Sequence, residues 1–385
     1  MTVIRPNSIT GITSITALND TISVYKSDGT TAGLQLDGVN FNTTGVSTVG
    51  QLNATTLTVN SNNYPSAGPL SNRNILINGG MTVCQRFAIN TTNNISNATH
   101  TYHVDRFKAY NDNDGVLQGE WVNTEFPEGF RYSLKYTPAT ADTSMGTSQQ
   151  SFISYVIEEK DFERFRWGTS DAQQLTLSFK VKTNKAGTYC VAFFNANTFD
   201  RYYITEVSIT DTTNWNDVTI TVPGDTTGTW SMMRINWTLA AASNLQGSAD
   251  TWGSGNLYGT SNQVNFMDST SNEFYITGVQ LEVGTVATPF EHRSYGDELA
   301  LCQRYYWQTD GIVYMCGYGN APQSNAIMNL ACPSTMRATP QVTITNTSNG
   351  INFGAGANSP QAVYAYAEIS GAGAPRGNLQ ATAEL

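Results

Sequence analysis

Between residues 175 and 182, apolar and polar side chains alternate without a break. Leu175, Leu177, Phe179 and Val181 are separated by Thr176, Ser178, Lys180 and Lys182. Successive side chains of a strand point to opposite faces, so this segment is a strand with one buried face. Gly187 predicts a turn, and Tyr189 to Phe194 the return strand. Tyr202 to Ile209, Val218 to Val222 and Met232 to Leu239 continue the pattern. Strands at ~8–12-residue spacing with turns between them predict an antiparallel sandwich over residues 71–295. Within it only Ile157 to Arg166 reads as helical.

Composition agrees with an all-β chain. Charged residues make up 13%, well under the ~25% of ordinary soluble domains. Thr, Ser, Asn and Gly carry the polarity instead, which suits strands and tight turns. The net charge of −10 argues against a nucleic-acid groove, which needs Lys and Arg to displace counterions. No run approaches the ~18 apolar residues of a membrane span, so no membrane insertion is expected. Met1 to Ser8 has no apolar core of a signal peptide. Cys84, Cys190, Cys302, Cys316 and Cys332 are odd in number and lack metal-site spacing, so they read as buried free thiols.

Residues 1–70 differ from the rest. Phrases such as Ser8-Ile9-Thr10-Gly11-Ile12-Thr13-Ser14-Ile15-Thr16 put β-branched residues at a period of two or three, broken by Gly or Asn. One chain cannot bury such thin stripes, whereas three chains wound together can. A fibrous β-repeat in a homotrimer is therefore expected here. Asp28-Gly29 predicts a hairpin between two short strands. Ser61 to Leu70, with Pro65, Gly68 and Pro69, reads as a linker.

Residues 296–385 read as a smaller β-sandwich. A short helix over 297–306 precedes it, with Asp297 as N-cap. Strands are expected at Gly311 to Gly317, Ala326 to Cys332, Gln341 to Thr345 and Ala362 to Ser370.

Five segments, in order, resemble those of bacteriophage tail-fibre and other virion-surface proteins with a carbohydrate-binding-module-like jelly roll. Asn72-Arg73-Asn74-Ile75-Leu76-Ile77-Asn78-Gly79-Gly80-Met81 is similar to the opening strand. Tyr102-His103-Val104-Asp105-Arg106-Phe107 is similar to a strand carrying Asp-Arg-Trp, with Phe107 for the Trp and His103 in a small-residue slot. Gly278 to Arg293, followed by Glu298 to Tyr306, resembles the domain exit. Met336-Arg337-Ala338-Thr339-Pro340 resembles a turn of the family's C-terminal domain, and Ala367-Glu368 followed by Ala381-Thr382-Ala383-Glu384-Leu385 its close. The resemblance covers about residues 72–385. It implies a virion protein assembled in the host cytoplasm and acting outside the host cell. Attachment to a phage tail or capsid protein would run through the N-terminus, with Ile4, Pro6, Ile9, Ile12 and Ile15 as anchoring residues. The outer domains would recognise a host surface glycan. A capsid decoration or head fibre built from the same modules is the alternative.

Catalysis needs convergent titratable groups. The three histidines, His100, His103 and His292, do not form a ligand set by spacing. Glu158, Glu159, Asp161 and Glu163 alternate with Lys160, Arg164 and Arg166, the pattern of a solvated helix face and not of a paired-carboxylate glycosidase. No enzyme is expected, and a polysaccharide depolymerase is the disfavoured reading. Asn111-Asp112-Asn113-Asp114-Gly115 lacks the outer ligands of a calcium loop and reads as a turn. No cofactor is expected, although jelly rolls of the resembled kind often hold a structural calcium. The chain has 7 Trp and 19 Tyr. Sugars stack their C–H faces on such rings, with amides and carboxylates for the hydroxyls. Trp215, Trp252, Tyr202, Tyr203 and Tyr258, near loops rich in Asn, Asp and Thr, are the candidate glycan contacts.

Overall fold

A computed structural model describes residues 71–95, 98–317, 324–369 and 374–385, together with a two-stranded ribbon of β1 (Thr58–Val59) and β2 (Asn62–Asn63). The N-terminal repeat, the hairpin at Asp28-Gly29, the anchoring residues Ile4, Pro6, Ile9, Ile12 and Ile15, and most of the linker lie outside the described residues. The larger body holds β3 (Thr92–Ile95), β4 (Thr99–Val104), β5 (Phe107–Asn111), β6 (Val116–Val122), β7 (Ser133–Thr140), β8 (Gln150–Ile157), β9 (Leu175–Thr183), β10 (Gly187–Asn195), β11 (Tyr202–Ile209), β12 (Asn216–Val222), β13 (Met233–Ala241), β14 (Trp252–Gly253) and β15 (Phe274–Val283). They form a seven-stranded sheet, β14-β11-β10-β13-β8-β5-β4, facing a six-stranded sheet, β12-β9-β15-β7-β6-β3. All their named pairings are antiparallel. This is a jelly-roll sandwich. Its core packs Phe107, Tyr155, Phe193, Ile235 and Trp237 of one sheet against Leu177, Phe179, Ile276, Val279 and Leu281 of the other.

The segment from Asn72 to Met81 is not the strand the sequence led us to expect. Side chains of asparagine take the hydrogen bonds a neighbouring strand would have made. Asn74 Oδ1 accepts from Leu76 N and Leu281 N, and Asn74 Nδ2 donates to Val279 O. Asn78 sits at φ 64° and binds Val83 at both N and O. Tyr102 to Phe107 also departs from a single strand. Asp105 and Arg106 turn the chain between β4 and β5, with Arg106 at φ 74°.

The outer face of β15 is buried as well as the inner one. Gln280 and Glu282 are buried there beneath Thr288 and Arg73. The expected inward set keeps Val279 and Leu281 in the core, with Val283 packed at its margin.

Between β8 and β9, α1 (Glu159–Phe162) continues as a single 3-10 turn. After β15, α2 (Tyr295–Gln303) begins two residues earlier than expected. Its cap is Ser294, whose hydroxyl accepts from Asp297 N, while Asp297 accepts from the Ser294 hydroxyl. The smaller body has β16 (Tyr306–Gln308), β17 (Val313–Tyr314), β18 (Ser324–Ala331), β19 (Gln341–Ser348), β20 (Ile351–Ser359), β21 (Ala362–Ile369) and β22 (Arg376–Thr382). A four-stranded and a three-stranded sheet enclose a separate core that includes Trp307, Met315, Met336 and Leu379. β16, β20 and β22 were not expected from sequence. In β20, Gly354 and Gly356 lie directly under the rings of Tyr366 and Tyr364 on β21, where any Cβ would collide.

All five cysteines are free. Cys190 and Cys302 are buried as expected. Cys84 and Cys332 are half-buried, and Cys316 is exposed although its backbone bridges to Ile327 of β18.

Candidate functional site

The five aromatic residues singled out by sequence do not share one site. Trp215 precedes β12 and donates its indole N–H to Glu125 Oε1 at 3.0 Å. Tyr203 faces the main core and packs on Trp252, their ring centres 5.1 Å apart. Trp252 also meets Trp167 and Trp230, nearly perpendicular to each. Tyr202 and Tyr258 lie on the opposite, outer face of the seven-stranded sheet, in a small apolar cluster with Phe152, Phe194 and Ile204. Tyr202, Tyr203 and Tyr258 are all under 10% exposed. Trp215 and Trp252 keep more accessible surface.

The acidic run is likewise divided. Glu158 is buried and binds Arg304 at 2.7 Å, while Glu163 pairs with Lys160 at 3.1 Å in solvent. A cleft of about 440 Å³ opens beside them, lined by Glu159, Glu163, Arg166, Trp167 and Trp230 among others. Among the described residues, no cluster of three or more His, Cys, Asp or Glu could hold a metal ion. The Asn111 to Gly115 segment is a turn whose oxygens are already engaged. Asn113 Oδ1 accepts from Gly115 N, and Asp112 Oδ1 from Gln150 N.

Of the outer face of the seven-stranded sheet, only Tyr202 and Tyr258 were expected from sequence. Strand register sets three rows across it. One row runs Tyr102, Lys108, Ser154, Asn236, Ala192 and Ile204. A second runs His100, Tyr110, Phe152, Thr238, Cys190 and Glu206. The third has Val156, Arg234, Phe194 and Tyr202. Tyr258, from the loop after β13, lies over one half of this face with Leu245 and Leu257. The rings form a ridge. Tyr110 stacks on Phe152 at 5.1 Å and Phe152 on Tyr258 at 5.3 Å, within 20° of parallel. His100 continues it beyond Tyr110, at 4.7 Å.

Beside the ridge lies a polar floor. Asn236 and Ser154 are fully buried, yet neither amide atom of Asn236 nor the Ser154 hydroxyl has a hydrogen-bond partner. Arg234 Nε is also unpartnered, and the guanidinium lies over the Phe199 ring at 4.9 Å. Lys108 Nζ donates to the Leu385 main-chain oxygen. Burial, reinforced by the Arg234 charge, lowers the Lys108 ammonium to about 8. Desolvation also pushes Arg234 down. Buried polar groups normally find partners, and leaving one unmade costs ~1–3 kcal/mol. Asn236, Ser154 and Arg234 thus leave several polar atoms of this face unmet.

No family model and no curated protein matches this sequence. Solved structures resemble it at low identity. A structure titled as a CBM4 module is 13% identical, with TM-score 0.27, covering 54% of this chain and 97% of its own. One titled a putative sugar-binding protein from Bacteroides thetaiotaomicron is 11% identical, with TM-score 0.28, covering 55% of this chain and 100% of its own. The enzymatically active domain of bacteriophage CBA120 tailspike protein 4 is 12% identical, with TM-score 0.26. That likeness covers 55% of this chain and 21% of the tailspike structure.

Proposed function

We propose that this chain is a non-enzymatic saccharide-binding protein whose ligand lies on the outer face of the seven-stranded sheet. The observation that carries this is the pairing of the ring ridge with the unpartnered Asn236 amide and Ser154 hydroxyl. Sugars present an apolar face to rings and a rim of hydroxyls to amides, and a site built around unmet polar atoms rejects ligands that cannot fill them. Titration calorimetry of the full chain with soluble polysaccharides tests this. Binding that falls at least tenfold in Asn236→Ala, with melting unchanged, supports it. Full affinity in Asn236→Ala refutes the site.

The wider reading is a trimeric virion fibre, attached through residues 1–70 and displaying residues 71–295 and 296–385 to a host glycan. It is supported by the ordered motifs shared with phage fibre proteins and by the thin apolar stripes of the N-terminal repeat. Light scattering of the full chain should return three times the chain mass. A monomer at micromolar concentration sinks the fibre. Binding to empty capsids without binding to cells would favour the head-decoration reading. Release of reducing ends from a polysaccharide would restore the depolymerase.

A further inference from the structure

The saccharide reading leaves the charge of the ligand open, and the polar floor beside the ring ridge, hereafter the slot, bears on it. Lys108 is buried on the outer face, and Arg234 is half-buried in the neighbouring row. Arg234 has no Asp or Glu carboxylate within ion-pair distance among the described residues, and Lys108 has only the Leu385 main-chain oxygen, although 30 of the chain's residues are acidic. The acids that share this face are engaged elsewhere. Glu206 accepts from Thr260 and Asn262, and Asp112 from Gln150 N and Tyr110. Glu384 attracts the Lys108 ammonium, whereas Arg234 and Arg106 repel it. Buried cations are normally paired, because desolvation without a counter-charge is costly. Two cations with no Asp or Glu side chain paired to them, beside unpartnered amide and hydroxyl groups in a chain of net charge −10, call for an anion that arrives with the ligand.

We propose that the slot takes an acidic saccharide, its anionic group held by Arg234 and Lys108 and its hydroxyls by Asn236 and Ser154. This rests on the saccharide reading above. The guanidinium supplies paired N–H donors in one plane, a geometry that fits carboxylate, sulfate or phosphate oxygens, and the ammonium adds a point charge. The chemistry shared by these sources is a singly substituted anionic sugar. The ring ridge then meets the apolar face of that sugar or its neighbour.

The test is titration calorimetry of the full chain against matched polymers: polygalacturonate for carboxylate, dextran sulfate for sulfate, phosphorylated dextran for phosphate, and unmodified dextran. The proposal expects at least one acidic polymer to bind tenfold or more tightly than dextran, with affinity falling as salt rises. Arg234→Gln and Lys108→Gln should each weaken that binding at least tenfold. They remove a buried charge, so melting should hold or rise. Lys180→Gln, an exposed pair on the other sheet, should change neither. The arm that binds names the anion. Equal binding of dextran and the acidic polymers, unmoved by either variant, overturns the acidic preference and leaves the saccharide reading standing. No binding of any polymer by a folded chain overturns both. Acidic binding that survives both variants places the anion elsewhere and refutes the slot.

Discussion

Arg106 and Glu384 are 278 positions apart in the chain, yet Arg106 Nη1 lies 2.6 Å from Glu384 Oε2, with both side chains buried. The same carboxylate binds Arg86, and Arg86 binds Asp105. The two guanidinium groups also lie over tyrosines, Arg106 on Tyr305 at 3.5 Å and Arg86 on Tyr306 at 3.7 Å. Three motifs identified from sequence therefore converge: the Asp105-Arg106 turn, the Tyr305-Tyr306 end of the helical segment, and Glu384-Leu385. Their role in this chain is to join the jelly roll to the smaller body.

Glu384→Ala should leave Arg106 as an uncompensated buried charge. Removing one partner of such a pair costs about 3–5 kcal/mol. Denaturant melts of the full chain should show that loss. A change under 1 kcal/mol would mean that the cluster is solvated.

His103 should make stability depend on acid. Its ring is 1% exposed, and burial lowers it from 6.5 to about 4. The unfolded chain therefore takes up a proton near 6.5, and the native chain only near 4. The contribution is complete above 6.5 and is lost as pH falls from 6.5 to 4, to a total of ~3 kcal/mol at ~1.4 per unit. His103→Phe should flatten that part of the stability–pH curve. An unchanged curve refutes the assignment.

Gly119→Ala should destabilise the fold by about 1–3 kcal/mol through overpacking. A Cβ there would stand 2.5 Å from the His103 ring on the facing sheet. The double variant Gly119→Ala, His103→Ala should recover part of the loss, measured by a thermodynamic cycle. Strict additivity would show that the two do not touch.

Leu281→Asp should abolish cooperative folding of residues 71–295. Leu281 is fully buried in the main core, and a carboxylate there has no counter-charge. Soluble protein with an unchanged melt would contradict the register of β15.

The jelly roll was legible because its strands alternate. Leu175–Thr183 and Tyr202–Ile209 match their expected spans to within a residue or two. Asn72 to Met81 misled, because its apolar run looks like a strand while asparagine side chains replace the ladder. β20 was missed because its glycine and small residues give no periodicity, and it lies against the tyrosines and alanines of β21. β22 does alternate, with Gly377, Leu379 and Ala381 inward, but two of those three side chains are too small to mark an apolar face. The ring ridge was half legible. Tyr258 was named for its loop, but Tyr110, Phe152 and Asn236 are far apart in sequence and meet only through strand register. Polar atoms without partners have no sequence signature.

The asparagine-held lead-in from Asn72 has a kinetic meaning. Asn74 is bonded to Leu281 across 207 positions, and Asn78 to Glu298 across 220. The local bonds of Asn74 to Leu76 and of Asn78 to Val83 leave that lead-in incomplete while the chain between is still being made. Loop closure over such spans is entropically costly and makes folding slow. Until residues 279–298 have left the ribosome, Leu76 and Met81 have no finished core to enter. The nascent chain will expose that apolar run for most of its synthesis, which makes it the place where a chaperone would bind first.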